Sequence, residues 1–75
     1  MYIYSVTVNI DDSVREEWIK WMKEVHIQDV MNTGLFISNK FCKVLVDEES
    51  GSTYSIQYIV KDLQTMQLYH EMYAP

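Results

Sequence analysis

The alternation of residue types at the start of the chain constrains its fold more than any other feature. Between residues 2 and 10, apolar and aromatic side chains occupy the even positions, and small polar side chains occupy most of the odd ones. Successive side chains of a β-strand point to opposite faces of the sheet, so a period of two predicts a strand with one buried face. That face comprises Tyr2, Tyr4, Val6, Val8 and Ile10, and Ile3 is an apolar exception on the other face.

A helix is predicted to follow this strand. Ser13 and Glu16 have the spacing of a capping box, in which each side chain bonds a free backbone N–H of the first turn. The apolar residues after them fall on one stripe of a helix, which comprises Val14, Trp18, Trp21, Met22 and Val25. This stripe predicts that Trp18 and Trp21 anchor the core or an interface.

The apolar stripe changes phase after Val25. Asp29 occupies the next position of the stripe, whereas Ile27 and Val30 lie on another side of the helix. The change of phase predicts that the helix bends, or ends and restarts, near residues 26–28. Gly34 is predicted to end it, because glycine is common just after the last turn of a helix.

Two further strands and a second helix are predicted beyond Gly34. Residues 35–47 are predicted to form a long strand, with Phe36 and Cys42 on one face and Phe41 on the other. Residues 47–52 are polar and predict a hairpin turn, and residues 53–61 alternate as a return strand. Asp62 is predicted to cap the second helix. Its apolar stripe comprises Leu63, Met66, Tyr69, Met72 and Tyr73.

The predicted element order is β-α-β-β-α, which is a ferredoxin-like α+β fold with an antiparallel sheet and its last strand absent. The length of 75 residues predicts a single domain over residues 1–75. The absent strand predicts that the chain is truncated after Pro75, or that a partner supplies the closing element. We expect a homodimer in either case, because an unpaired sheet edge favours association.

Composition and charge restrict the partners and the compartment. Eleven acidic and six basic residues give a net charge of −5, and an acidic surface repels nucleic-acid phosphates. No apolar run approaches the ~20 residues that cross a membrane, and the N-terminus lacks the basic start of a signal peptide. The single cysteine, Cys42, excludes an internal disulfide and is predicted to be an inert core residue. These features predict a cytoplasmic domain with no nucleic-acid or membrane partner.

His26 is the first candidate for chemistry, since it lies at the break in the helix. Imidazole exchanges a proton near neutral pH, and it also binds metals and haem iron. The alternative interpretation is that its ring caps the broken helix end. No metal site and no cofactor are predicted, because His26 and His70 lack a metal-ligand spacing.

Polar side chains on the strands are the other candidates for ligand binding. Asn9, Gln57 and the hydroxyl of Tyr58 can orient a small molecule. If the apolar strand faces pack on the helices, the polar faces line the space between the sheets of a dimer. That space is predicted to be either a plain interface or a cavity for a small-molecule ligand.

Several short segments of the sequence, taken together and in order, match the pattern of a known protein family. They are Tyr4-x-Val6-Thr7-Val8, Trp18-x-x-Trp21-Met22-Lys23-Glu24-Val25-His26-Ile27, Asp29-Val30, Thr33-Gly34-x-Phe36, Lys43-Val44-Leu45-Val46-Asp47 and Tyr54-Ser55-Ile56-Gln57-Tyr58. In this order the segments resemble a bacterial family of short proteins that is recorded as a domain of unknown function. The resemblance spans essentially all 75 residues. It implies the dimeric α+β barrel superfamily, in which two ferredoxin-like sheets pack face to face in a homodimer.

This chain departs from the family pattern in two places. Gln28 stands where the family usually has proline, which weakens the kink that a proline would impose on the helix. Members of the family also continue beyond Ala74-Pro75 with more helix and a final strand. The resemblance brings no biochemical function with it.

The leading prediction is a homodimerising α+β barrel domain to which no catalytic activity is assigned. The alternative is a small-molecule oxygenase-like enzyme or a ligand-sensing module, with its site between sheet and helix near His26. In the enzyme, His26 acts as a base or haem ligand, and Asn9 or Gln57 orients the substrate.

Overall fold

Three strands form an antiparallel sheet in the computed structural model, which describes residues 1–73. They are β1 (Tyr2–Ile10), β2 (Phe36–Lys43) and β3 (Ser52–Val60), in the order β1-β3-β2. Strands β1 and β3 pair without interruption, from Tyr2 opposite Val60 to Ile10 opposite Ser52. The α+β class and the antiparallel sheet are therefore confirmed. The predicted chain end at Ala74 and Pro75 lies outside the described residues.

One helical segment connects β1 to β2. It contains a 3₁₀ turn (Asp12–Val14), helix α1 (Arg15–Trp21), a π turn (Met22–His26) and helix α2 (Ile27–Asn32). Asp11 caps its start, because the Asp11 carboxylate accepts hydrogen bonds from the Ser13 backbone N–H at 2.9 Å and from the Ser13 hydroxyl at 2.7 Å. The predicted Ser13–Glu16 capping box is wrong, since the Ser13 hydroxyl bonds Asp11 instead.

The π turn explains the change of phase in the apolar stripe. The backbone N–H of Ile27 bonds the carbonyl oxygen of Met22, five residues earlier. A π turn holds one more residue than an α-helical turn, so it rotates the following residues by about 100° around the axis. Met22 is buried at the first position of the turn, and Ile27 and Val30 are buried after it. The predicted irregularity is confirmed, and the helix continues through it.

Gly34 ends the helical segment as predicted. Its backbone has a φ of 77°, and its N–H bonds the Met31 carbonyl oxygen at 3.1 Å. Glycine reaches this left-handed conformation without the steric penalty that other residues meet.

A bulge in β2 reverses part of the predicted strand pattern. Phe36 pairs with Val60 but Ser38 pairs with Ile59, so one additional residue, Ile37, lies between these pairs. The bulge places Phe36 and Phe41 on the same face, towards the helices, where the sequence predicted opposite faces. The strand also ends at Lys43, short of the predicted residue 47.

Cys42 lies on the opposite face of β2 from the one predicted. It pairs with Ser55 in the middle of the sheet and is half-buried. Because of the bulge, Phe36 lies on the helical side of the sheet, whereas Cys42 lies on the other side. The predicted place of Cys42 in the core, on the same face as Phe36, is therefore wrong.

Helix α3 (Leu63–Met72) follows β3 and begins at Asp62 as predicted. The Asp62 carboxylate accepts hydrogen bonds from the Thr65 backbone N–H at 2.7 Å and from the Thr65 hydroxyl at 2.6 Å. Tyr69 is the buried residue of this helix.

The core lies between the sheet and the helices. It comprises Met22, Ile27, Val30, Phe36, Ile56, Tyr58, Val60 and Tyr69. Trp18 packs against it and contacts Phe41 and Tyr54. Trp21 is 47% exposed, so its predicted burial in the core is wrong, and the other predicted role, an interface anchor, stays a prediction. Trp18 and Met22, four residues apart, define the inward side of the helix, and Trp21 lies on its flank.

The helices pack on one side of the sheet, and within residues 1–73 the other side is uncovered. We call this second side the open face. It carries Ile3, Ser5, Thr7 and Asn9 of β1, Ser38, Lys40 and Cys42 of β2, and Thr53, Ser55, Gln57 and Ile59 of β3. In the described part of the chain, no helix combines the length and the apolar character that crossing a membrane requires.

Candidate functional site

Two of the predicted site residues, His26 and Tyr58, line one small cavity between the sheet and the helices. Its volume is about 80 Å³. The lining comprises Tyr4, Val6, Met22, His26, Val30, Ile56, Tyr58 and Tyr69. We call it the inner cavity. Its walls are rings and aliphatic side chains, and its polar groups are the imidazole of His26 and the tyrosine hydroxyls.

His26 reaches the inner cavity because it is the last residue of the π turn. Its ring is half-buried and stacks on the ring of Trp21, with centroids 4.9 Å apart and planes 18° apart. The indole ring of Trp21 therefore covers one face of the imidazole and restricts the orientation of the His26 ring. The alternative prediction, a ring that caps a broken helix end, loses its premise because the helix does not break.

Two tyrosines of the inner cavity, Tyr58 and Tyr69, are protonated and neutral near pH 7. Burial, with smaller contributions from Tyr69 and Tyr4, raises the pKa of Tyr58 to about 12. Burial, followed by the neighbouring Tyr4, also raises the pKa of Tyr69. A buried phenol in this state donates a hydrogen bond and does not act as a base at neutral pH.

A second cavity adjoins the first between α2 and α3. Its volume is about 180 Å³. It is lined by His26, Asp29, Val30, Thr33, Tyr69 and Tyr73, so three of its residues also line the inner cavity. We call it the α2–α3 cavity. Sequence reasoning missed Asp29 and Tyr69 as site residues, although Asp29 marked the change of phase in the helix.

The other two predicted site residues, Asn9 and Gln57, lie on the open face. The Asn9 amide donates hydrogen bonds at 3.3 Å to the Glu48 carboxylate, the Ser50 carbonyl oxygen and the Thr53 hydroxyl. The Gln57 amide donates to the Ser55 hydroxyl at 3.4 Å. The sheet separates both side chains from His26, so neither can orient a ligand bound beside that ring.

Asn9 belongs to a hydrogen-bonded group that holds the turn between β2 and β3. The Glu48 carboxylate accepts from Asn9 and from the Thr53 hydroxyl, the latter at 2.7 Å, and pairs with the Lys43 ammonium at 3.6 Å. In residues 1–73, no three histidine, cysteine or acidic side chains are grouped to hold a metal ion.

A comparison with protein families gives one match. The model of the family described as "Domain of unknown function (DUF4286)" matches residues 1–75. No curated protein and no solved structure matches the chain.

Proposed function

This chain belongs to the DUF4286 family, and we propose that it acts as a homodimerising ferredoxin-like domain whose two sheets pack through their open faces, as in dimeric α+β barrels. The observation that carries this proposal is the open face itself. Three strands present it, and every helix of residues 1–73 lies on the opposite side.

The composition of the open face suits burial against a second copy. Ile3 is 60% exposed and lies opposite the half-buried Ile59, so an apolar row crosses the sheet at one end of the face. Removing apolar area of this kind from water contributes about 25 cal/mol per Å², which offsets part of the entropy lost on association. The identical face of a second copy covers this row by two-fold symmetry.

Three polar side chains at the centre of the open face, Ser5, Ser55 and Gln57, are already hydrogen-bonded to one another. The hydroxyls of Ser5 and Ser55 lie 3.3 Å apart, and Gln57 donates to Ser55. Burying a polar group costs least when its hydrogen bonds are kept. A partner sheet can therefore cover the centre of the face without leaving these groups unpaired.

The strand order β1-β3-β2 supports the ferredoxin-like part of the proposal. In this order β3 lies between two strands that the first helical segment connects, which agrees with a split β-α-β arrangement. We include the bacterial cytoplasm in the proposal, since a reducing compartment preserves the free thiol of Cys42 on the open face.

Light scattering coupled to size-exclusion chromatography tests the dimer. We expect a mass twice the 8.9 kDa of the chain. Ile3→Lys places a charge in the proposed interface and should raise the dissociation constant by about tenfold or more. Met72→Lys is the matched control, because Met72 is 61% exposed on the helical side and should leave the dimer unchanged. A monomeric wild-type chain, or an Ile3→Lys variant that dimerises normally, would overturn the proposal.

A second candidate function is small-molecule binding in the two adjoining cavities. The specific observation is that His26, stacked on Trp21, lies beside the neutral phenols of Tyr58 and Tyr69. In a ligand-sensing module the bound molecule stays unchanged. In an oxygenase-like enzyme His26 takes a proton from it.

Native mass spectrometry of the chain purified without added ligand tests this second function. A retained small molecule that His26→Gln no longer holds supports it. Incubation of the purified complex in air then separates the two forms, because only an enzyme converts the molecule. A chain that retains the molecule equally well without the imidazole would exclude a role for His26.

A further inference from the structure

We propose that the α2–α3 cavity binds a small organic cation with a methylated ammonium group. This inference rests on the second candidate function, small-molecule binding, and it names the chemical class of the ligand. The observations behind it are the charge of the lining, its aromatic rings and the state of its hydrogen-bonding groups.

The charge of the lining favours a cation. Asp29 contributes a carboxylate, and among the described residues that line the cavity there is no lysine or arginine. An anionic ligand would meet a negative group without a positive one to offset it. The net charge of −5 for the whole chain also raises the local concentration of cations.

The aromatic rings provide the second element of a cation site. Tyr69 lies in α3 and Tyr73 directly follows its end, and the two rings, four residues apart, stack with centroids 5.9 Å apart. The faces of aromatic rings carry partial negative charge and attract ammonium groups within about 6 Å. Tyr69 is buried and Tyr73 is exposed, so one ring forms the inner wall and the other lies at the opening.

The hydrogen bonds of Thr33 favour a methylated ammonium over a primary one. The Thr33 hydroxyl donates to the Val30 carbonyl oxygen at 2.7 Å and accepts from the Leu35 N–H at 3.3 Å, so its proton and one of its two lone pairs are already engaged. The Asp29 carboxylate attracts either kind of ammonium by its charge. A primary ammonium has three protons to pair and gains little from Thr33, whereas a trimethylammonium group needs no acceptor and can pack its methyl groups on Val30 and Thr33.

The size of the cavity fits a group of this kind. Its volume of about 180 Å³ is close to that of cavities that hold one benzene molecule, about 150 Å³. A trimethylammonium head is of similar size. A haem or a nucleotide is too large for this space.

Choline and its neutral isostere, 3,3-dimethylbutan-1-ol, test the proposal directly. The two molecules share their shape and differ in the charge of the central atom. We expect choline chloride to give saturable NMR shifts at His26, Asp29 and Tyr73, and the alcohol to bind about tenfold more weakly at equal ionic strength.

Two variants and one control assign the binding to this cavity. Asp29→Asn keeps the shape of the side chain and removes its charge, and Tyr73→Leu removes the ring at the opening. Each should weaken choline binding by about tenfold. Glu17→Gln makes the same change of charge on the exposed side of α1, and it should leave choline binding within twofold of wild type.

The outcomes separate this inference from the function on which it rests. If choline and the alcohol bind equally well, the proposal that the ligand is a cation is overturned, and the function of small-molecule binding stands. If neither molecule binds, the proposal that the ligand is a cation is overturned. Small-molecule binding, the second candidate function, is then decided by the native mass spectrum. If choline binds but Asp29→Asn leaves its affinity unchanged, the proposed site is overturned.

Discussion

The rings of Trp21 and His26 stack across the π turn, with centroids 4.9 Å apart. In a regular α-helix, residues five positions apart lie about 140° apart around the axis and cannot stack. The wider π turn brings them onto one side. Trp21 therefore contributes to the position of the imidazole, although the residue lies outside the core.

Trp21→Ala should have a small effect on stability. Because Trp21 is half exposed, we expect a loss of about 1 kcal/mol in the free energy of unfolding. Met22→Ala, its buried neighbour, should lose about 2–5 kcal/mol. Urea unfolding measures both. The NMR signals of the His26 ring should also shift in Trp21→Ala, because the ring current of the indole is lost. Equal losses in the two variants would contradict this structure of the helix.

Alanine substitutions at the two glycines should differ in their effects. Both residues have positive φ, 77° at Gly34 and 73° at Gly51. A Cβ at Gly34 would meet no atom within 4 Å, so only backbone strain of about 1 kcal/mol is expected. A Cβ at Gly51 would lie 2.6 Å from the Asn9 side-chain oxygen and 2.7 Å from the Ile10 carbonyl oxygen. Thermal unfolding should therefore show a larger loss for Gly51→Ala, and the reverse order would count against the described turn.

The stability of the fold should fall in acid partly through Asp62. Its hydrogen bonds with the Thr65 hydroxyl and then with the Thr65 N–H hold the pKa of the carboxyl below its usual value. Because the carboxyl of Asp62 has a lower pKa in the folded chain than in the unfolded one, it stabilises the fold at pH values above its unfolded pKa of about 3.9. This stabilisation is lost as the pH falls through the folded pKa. Asp62→Asn keeps the helix cap without titrating. Urea midpoints between pH 5 and pH 2 should decline less steeply in this variant, and parallel curves would exclude the role of Asp62.

Tyr58 should make the fold sensitive to alkali. Its pKa is raised to about 12 in the folded chain, mainly by burial. Because the phenol of Tyr58 loses its proton less readily in the folded chain, it contributes stability that is fully present below its unfolded pKa of about 10. This contribution is lost as the pH rises towards 12. Tyr58→Phe removes this contribution, so its unfolding midpoint should change less between pH 9 and pH 11. Absorbance at 295 nm follows the tyrosinate in parallel. An unchanged pH dependence would show that Tyr58 ionises as readily in the folded chain as in the unfolded one.

Alternation in the sequence was sufficient to predict the faces of β1 and β3. Both strands pair without interruption, so each residue keeps the side that its position implies. The faces of β2 could not be predicted in this way. The bulge at Ile37 depends on how β2 pairs with β3, and this pairing leaves no local signal in the sequence.

The candidate site was predictable only in part. The change of phase after Val25 indicated His26 as a candidate site residue, and His26 does line both cavities. Gln57 and Tyr58 are neighbours in one strand and must point to opposite faces, so they could not serve one site. The contribution of Tyr69 and Asp29 depends on how α3 lies beside α2, which is a tertiary relationship.

The additional residue in the π turn also sets how this segment tolerates changes of length. Deleting one residue between Met22 and His26 would restore regular α-helical hydrogen bonding and improve the local helix. The same deletion would place Ile27 four residues after Met22, so a regular α-helix of about 100° per residue would still direct Ile27 and Val30 towards the sheet. A further residue inserted here would instead turn both side chains away from the sheet by about 100°, unless the helix widened again. The domain should therefore tolerate a shortening of this turn by one residue and resist a lengthening.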